Sequence, residues 1–218
     1  MESIRYIKVN GERYRRIWAV GDIHGSYDLL LDKLEEIKFS PETDLLISVG
    51  DNIDRGKQSL EVLRLLNTSW FISVLGNHES IALDAFETQD GNLWYANGGG
   101  WYSSLKEEER IEATNLLLTF KQRPHVIEVE VDSKTFVIAH ADYPSNVYAY
   151  GKQLDSDDVL WSRERLLSSQ KGDVHPITGA DSFVFGHMIL NDVETYANQT
   201  YIDTGSVSNG KLSFLRFK

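Results

Sequence analysis

Three apolar runs in the first eighty residues, RIWAV, Leu45–Val49 and Trp70–Leu75, each stop at a glycine followed by a polar residue. Helical periodicity lies between them. After Ser26, Leu29, Leu30, Leu34 and Ile37 recur at helical spacing, and a second helix is expected over about 59–66. Strand, helix, strand, helix, strand predicts parallel pairing with covering helices. In such a scaffold, chemistry usually sits where a strand gives way to a loop.

The remaining chain extends this frame. IRYIKV-NG-ERYRRIWAV reads as a hairpin closed by Asn10-Gly11, a strong turn signal. Helices are expected over 79–86 and 105–121, separated by the glycine- and aromatic-rich NLWYANGGGWYSSL. Strands follow at 126–131, 135–139, 182–185, 200–202 and 211–217, and residues 141–181 read mostly as loop with a short helix near 163–168. The expected class is α/β (α+β): two mixed β-sheets packed as a sandwich with helices outside, forming one domain over residues 1–218.

Charge and composition narrow the partners. A formal net charge of -11 disfavours a nucleic-acid backbone, whose binding depends on lysine and arginine. The absence of cysteine excludes disulfides and thiolate metal sites. A polar start without an apolar signal core, and apolar runs too short for a membrane span, imply a cytoplasmic protein without membrane contact. Oligomeric state leaves no mark in the sequence.

The polar phrases carry metal-ligand types: Asp22 and His24 in GDIHG, Asp51 in GDNIDRG, Asn77 in GNHE, His140 in IAHAD and His187 in FGHM. Oxygen and imidazole donors suit divalent manganese, iron or zinc better than a soft metal. Asp22 and His24 lie two apart on an extended segment and point the same way, while Asp51, at a neighbouring strand end, is placed to bridge two ions. Two cations about 3.5–4 Å apart can acidify a shared water and clamp an in-line displacement at phosphorus. Arg55 offers a planar donor fork for phosphate, and Arg163 in LWSR a second. His78 is a candidate acid for the leaving alkoxide, with Asp54 as its orienting carboxylate.

GDIHG, GDNIDRG, GNHE, the AHAD histidine and the final GH together resemble the signature of the calcineurin-like metallophosphoesterases. Within that superfamily, DLLISVGDNIDRG, IAHADYP, TGAD (Thr178–Asp181) and YIDTGS are similar to serine/threonine protein phosphatases of the bacteriophage lambda type, the bacterial members above all. The resemblance implies that Asp22, His24 and Asp51 hold one ion, and that Asp51, Asn77, His140 and His187 hold the other. It further implies an acid pair of His78 and Asp54, phosphate clamps at Arg55 and Arg163, and usual activity with Mn(II). The implied reaction is one-step hydrolysis of phosphoserine or phosphothreonine in a protein or peptide by a metal-bound hydroxide, without a phosphoenzyme. Lys57 after DRG, where proline is usual, and Met188 after the last GH, where threonine is common, depart from the pattern but supply no ligand.

Each residue also has a plainer reading. Asp22 alone could cap a helix and Asn77 alone could make a turn. Arg55 or Arg163 could form a surface ion pair, and Asp54 could pair with Arg55 rather than His78. His125 and His175 belong to no phrase and read as loop or surface histidines. Trp94, Tyr95, Trp101 and Tyr102 read as core packing, with a mobile wall beside the cleft as the functional alternative. Rival functions are a dinucleoside polyphosphate hydrolase or phosphodiesterase of the same superfamily, and a non-catalytic interaction module. The module would lack a ligand, the acid or an arginine, and none is missing.

Overall fold

Strand β2 (Arg16–Val20) shows how the core is organised, because its side chains alternate between two apolar environments. Ile17 and Ala19 point into one cluster, whereas Trp18 and Val20 point into another. The same period of two runs through β3 (Asp44–Ser48), where Leu45 and Ile47 join the first cluster and Leu46 the second. A strand buried on both faces needs a layer on each side, and the chain provides it. The structure, a computed structural model, describes residues 3–218. The first two residues of the polar start lie outside the described residues.

A four-stranded sheet runs β10-β2-β3-β4, with β4 at Phe71–Ser73 and β10 at Phe214–Arg216. Its three early strands are parallel, and β10 is antiparallel to β2. A six-stranded sheet runs β1-β5-β6-β7-β9-β8, from Tyr6–Asn10, Val126–Val131, Lys134–Ala139, Ser182–Phe185, Gln199–Tyr201 and Glu194–Tyr196 in that order. Ile17, Ile47, Ile127, Val129, Ile138 and Val184 fill the space between the sheets. Helices α1 (Tyr27–Glu36), α2 (Ser59–Leu65), α3 (Asn77–Thr88) and α6 (Glu107–Leu118) pack on the outer face of the smaller sheet. Two mixed sheets with helices outside is the expected class.

Several local expectations fail. The Asn10-Gly11 hairpin is absent: β1 pairs parallel with β5 in the large sheet, and β2 pairs with β3 and β10 in the small one. A 3₁₀ turn over Gly11–Arg13, with the Asn10 side chain accepting the Glu12 N–H at 3.0 Å, carries the chain between sheets instead. Local turn chemistry lost to the two-sided burial that β2 requires. The aromatic segment holds two short helices, α4 (Asn92–Ala96) and α5 (Gly100–Ser104), where no helix was expected. Helix α7 (Ser156–Trp161) lies in the stretch read mostly as loop, and α8 (Glu164–Gln170) matches the short helix foreseen there. His125 is buried rather than superficial, and its Nδ1 accepts the Arg5 N–H at 3.2 Å. His175 is exposed, beside Asp173. Among the described residues, no helix is long and apolar enough to cross a membrane.

Candidate active site

Strands β2, β3, β4, β6 and β7 run out into loops at a common edge. There the side chains of His24, Asp51, Asn77, His78, His140 and His187 meet, drawn from stretches far apart in sequence. Ligand-capable atoms of His24, Asp51 and His78 lie within 4.8 Å of one another, as do those of Asp51, His140 and His187. Asp51 belongs to both groups, the shared position expected for it. His24, Asp51 and His187, with Asp54 and Arg55 from the same loop as Asp51, have left-handed φ between 47° and 72°. Such backbone is uncommon for side-chain-bearing residues and concentrates at sites whose surroundings over-determine it.

The tautomers can be read from the partners. His24 Nδ1 lies 2.8 Å from Ile53 O, and His140 Nδ1 lies 2.8 Å from Val49 O, so each gives that hydrogen to a carbonyl. Their Nε2 lone pairs then face the cleft. His140 Nε2 is 2.7 Å from Asn77 Oδ1 and 3.4 Å from Asp51 Oδ1, while His187 Nδ1 is 3.0 Å from the same Asn77 oxygen. Burial holds His140 below the ordinary histidine range and lowers His187 to about 3, so neither ring is charged near neutrality. His140 Nε2 and the Asn77 oxygen, both acceptors at 2.7 Å, repel unless the Asn77 amide turns over or a cation stands between them. Near His24 a cation already does: the Arg55 Nη1–H donates to Nε2 at 2.9 Å. Neutral imidazoles and carboxylates converging in this way fit divalent ions.

Asp22 stands outside both groups. Its two oxygens accept the His187 backbone N–H at 3.2 and 3.1 Å, and burial, then Asp203 and Asp51, push its carboxyl well above the usual range. Asp51 is shifted the other way: burial opposes its charge, but His140, His78 and His24 outweigh it. Asp54 does not pair with Arg55. Its Oδ2 accepts from His78 Nδ1 at 2.8 Å, while the Arg55 fork reaches His78 Nε2 at 3.0 Å. Burial works against a charged His78, but Asp51 and Asp54 outweigh it and the net shift is upward. Arg163 sits exposed at the start of α8, where its charge reaches His187.

Sequence reasoning missed two residues, Glu79 and Asp203, and the bonds made by two tryptophans. Glu79 lies fully buried with its carboxylate on the backbone amides of Gly76, Asp51 and Asn52; its only signal was the capping-box spacing after Gly76. Asp203, two residues past β9 in YIDTGS, accepts the Gly205 N–H at 3.0 Å through Oδ1, and burial raises it to about 6. Its place after a strand repeated the pattern of the other phrases. Trp94 and Trp101 are buried in the apolar core, as expected, and each also donates its indole N–H to Asp54, a bond the sequence did not foretell. Tyr95 alone of the four is well exposed.

Comparison with known proteins accords with this geometry. The chain is 67% identical to serine/threonine-protein phosphatase 2 of Salmonella typhimurium, over 218 residues and the whole of both chains. It is 54% identical to the Escherichia coli protein of the same name, again over the whole of both chains. A crystal structure described as a candidate diadenosine tetraphosphatase superposes with a TM-score of 0.72 at 24% identity, covering 98% of this chain and 94% of that one, and shares the fold. Residues 15–198 match the calcineurin-like phosphoesterase family, and the chain belongs to it.

Proposed function

We propose that this protein is a cytoplasmic, manganese-dependent serine/threonine protein phosphatase that hydrolyses phosphoserine and phosphothreonine in proteins or peptides. The observation that carries the reading is the His78–Asp54 pair at 2.8 Å, set beside the Arg55 fork and next to the two ligand groups that share Asp51. A phosphomonoester needs an acid for its leaving alkoxide and a clamp for its oxygens, and this arrangement offers both. Full-length relatives named as serine/threonine phosphatases support the substrate class.

Asp22, His24, Asp51, Asn77, His140 and His187 would hold the ions, Asp22 being the member whose oxygens accept the His187 amide instead of joining either ligand group. Two divalent ions so held would supply Lewis-acid stabilisation at phosphorus and lower the pKa of a water. Arg55 presents Nη1 and Nη2 to phosphate oxygens. Its fork leaves the His24 and His78 nitrogens as it turns to the substrate, which frees His78 Nε2 to face the leaving oxygen. Asp54 fixes Nδ1–H on the far side of the ring, so the proton delivered comes from Nε2. Arg163, on the rim, adds positive charge where the phosphoryl dianion enters.

The test is turnover of a phosphoserine peptide, diadenosine tetraphosphate and a bis-aryl phosphodiester, each with Mn(II) and with chelator. Phosphate release from the peptide, abolished by chelator, is expected. An inert peptide with turnover of the dinucleotide or the diester would keep the site and overturn the substrate class.

A further inference from the structure

Asp54 is fully buried, and its carboxylate has three ring donors around it. Oδ1 accepts the Trp101 indole N–H at 2.7 Å and that of Trp94 at 2.9 Å, while Oδ2 accepts from Trp94 at 3.1 Å and from His78 Nδ1 at 2.8 Å. We propose that Trp94 and Trp101 are positioning residues of the acid pair, their indole N–H groups locking the Asp54 carboxylate in the orientation that serves His78. The inference rests on the phosphomonoesterase reading with His78 as acid.

The choice of indole has a physical logic. A buried carboxylate must be hydrogen-bonded, and a cationic partner would do it most strongly. A lysine or arginine there would also compete with the imidazolium for the Asp54 charge. Indole donates and never accepts, and it carries no charge. It therefore fixes the carboxylate's rotation and leaves the charge for His78. The two rings are themselves immobilised, meeting edge to face at 6.2 Å and 82°, with Phe86 against Trp94 at 5.5 Å.

The same segment fixes the neighbouring backbone. Between α4 and α5, Gly98 O accepts the Arg55 N–H at 3.1 Å, and a Cβ on Gly98 would come within 2.7 Å of that nitrogen. A Cβ on Gly99 would sit 2.6 Å from the Trp94 ring. The glycines let the segment approach closely enough for its indoles and a carbonyl to reach both Asp54 and Arg55, residues held at φ 72° and 63°.

The experiment compares Trp94→Phe and Trp101→Phe, alone and combined with His78→Asn, in the Mn(II)-loaded protein. Phenyl phosphate, whose phenolate is a poor leaving group, is set against 2,4-dinitrophenyl phosphate, whose dinitrophenolate departs without an acid. Site-specific replacement of either tryptophan by 3-benzothienylalanine, which keeps the shape and loses the N–H, gives the same reading should a phenylalanine variant not fold. Each change is expected to lower kcat on phenyl phosphate about tenfold or more, within the about 10²–10⁴-fold worth of the acid itself. KM should hold, the loss should be about threefold or less on the dinitrophenyl ester, and there should be no further loss in His78→Asn. Equal losses on both esters, or losses that multiply with His78→Asn, would assign the tryptophans to packing alone and overturn the inference. Unchanged phenyl phosphate turnover in His78→Asn itself would remove the acid reading, and this inference with it.

Discussion

Glu79 holds the backbone of Asp51: its Oε2 accepts the Asp51 N–H at 3.0 Å, and the same oxygen accepts the Gly76 N–H at 3.0 Å. Oε1 takes the Asn52 N–H at 2.7 Å. One buried side chain thus ties the end of β3 to the end of β4, and Asp51 gets its left-handed turn from that tie. Replacing Glu79 by alanine orphans three buried amides at about 1–3 kcal/mol each, so a loss of about 3 kcal/mol or more is expected in urea unfolding. Metal affinity should fall with it, because Asp51 loses its anchor. A variant of wild-type stability would show that water replaces the carboxylate.

Metal loading should stabilise the fold. If the acceptors around Asn77 and His24 hold Mn(II), an ion at about 100 times its Kd adds about 2.7 kcal/mol to the native state. For a chain of this size, about 2–4 °C per kcal/mol gives a Tm rise of about 5–11 °C over the chelated protein. Scanning calorimetry with EDTA and with Mn(II) checks it. Identical transitions would mean that these donors hold no ion.

Asp44 sets an acid limit away from the site. Burial opposes its charge, but Arg15 at 3.0 Å, Arg16 at 2.6 Å and the Ser40 amide at 2.9 Å hold it well below the usual carboxylate range. A carboxyl depressed in the folded state contributes stability above its unfolded pKa of about 3.9, and that contribution fades as pH falls toward the folded value. Urea midpoints should therefore decline steeply below about pH 4. Asp44→Asn should be weaker by about 2–4 kcal/mol at pH 7, toward the lower end of a broken buried pair because Arg15 is half exposed, and should show a shallower acid slope. Parallel slopes would place the acid sensitivity elsewhere.

Gly56 admits no side chain. A Cβ there would lie 2.2 Å from His24 O, the carbonyl that accepts the Gly56 N–H at 2.9 Å. Gly56→Ala must push apart the loops that carry His24 and Arg55, at about 1–3 kcal/mol for an overpacked contact. Turnover should fall further than stability alone explains, since a misplacement near 1 Å can cost about 10²-fold. Normal kcat in a folded variant would mean that the two loops move independently.

Much of this site was written in local sequence. A strand that ends at glycine followed by aspartate, asparagine or histidine announces its chemistry from a few residues, because strand ends project side chains into a loop. Asp22, Asp51, Asn77 and His187 stood out as candidates in that way, with His24 and His140 close to the same strand ends, and the alternation that makes β2, β3 and β4 parallel was equally legible. Tertiary structure alone decided the rest. Asn10-Gly11 has the chemistry of a hairpin, yet β2 turns away from β1 because both its faces must be buried. Glu79 and the two tryptophans act through bonds to residues 3 to 47 positions away, at distances fixed only when α3, α4 and α5 pack on the sheet edge. A hydrogen bond constrains two groups in space and leaves no periodic trace along the chain, so the sequence determined which chemistry was present, and packing decided which side chains hold it in place.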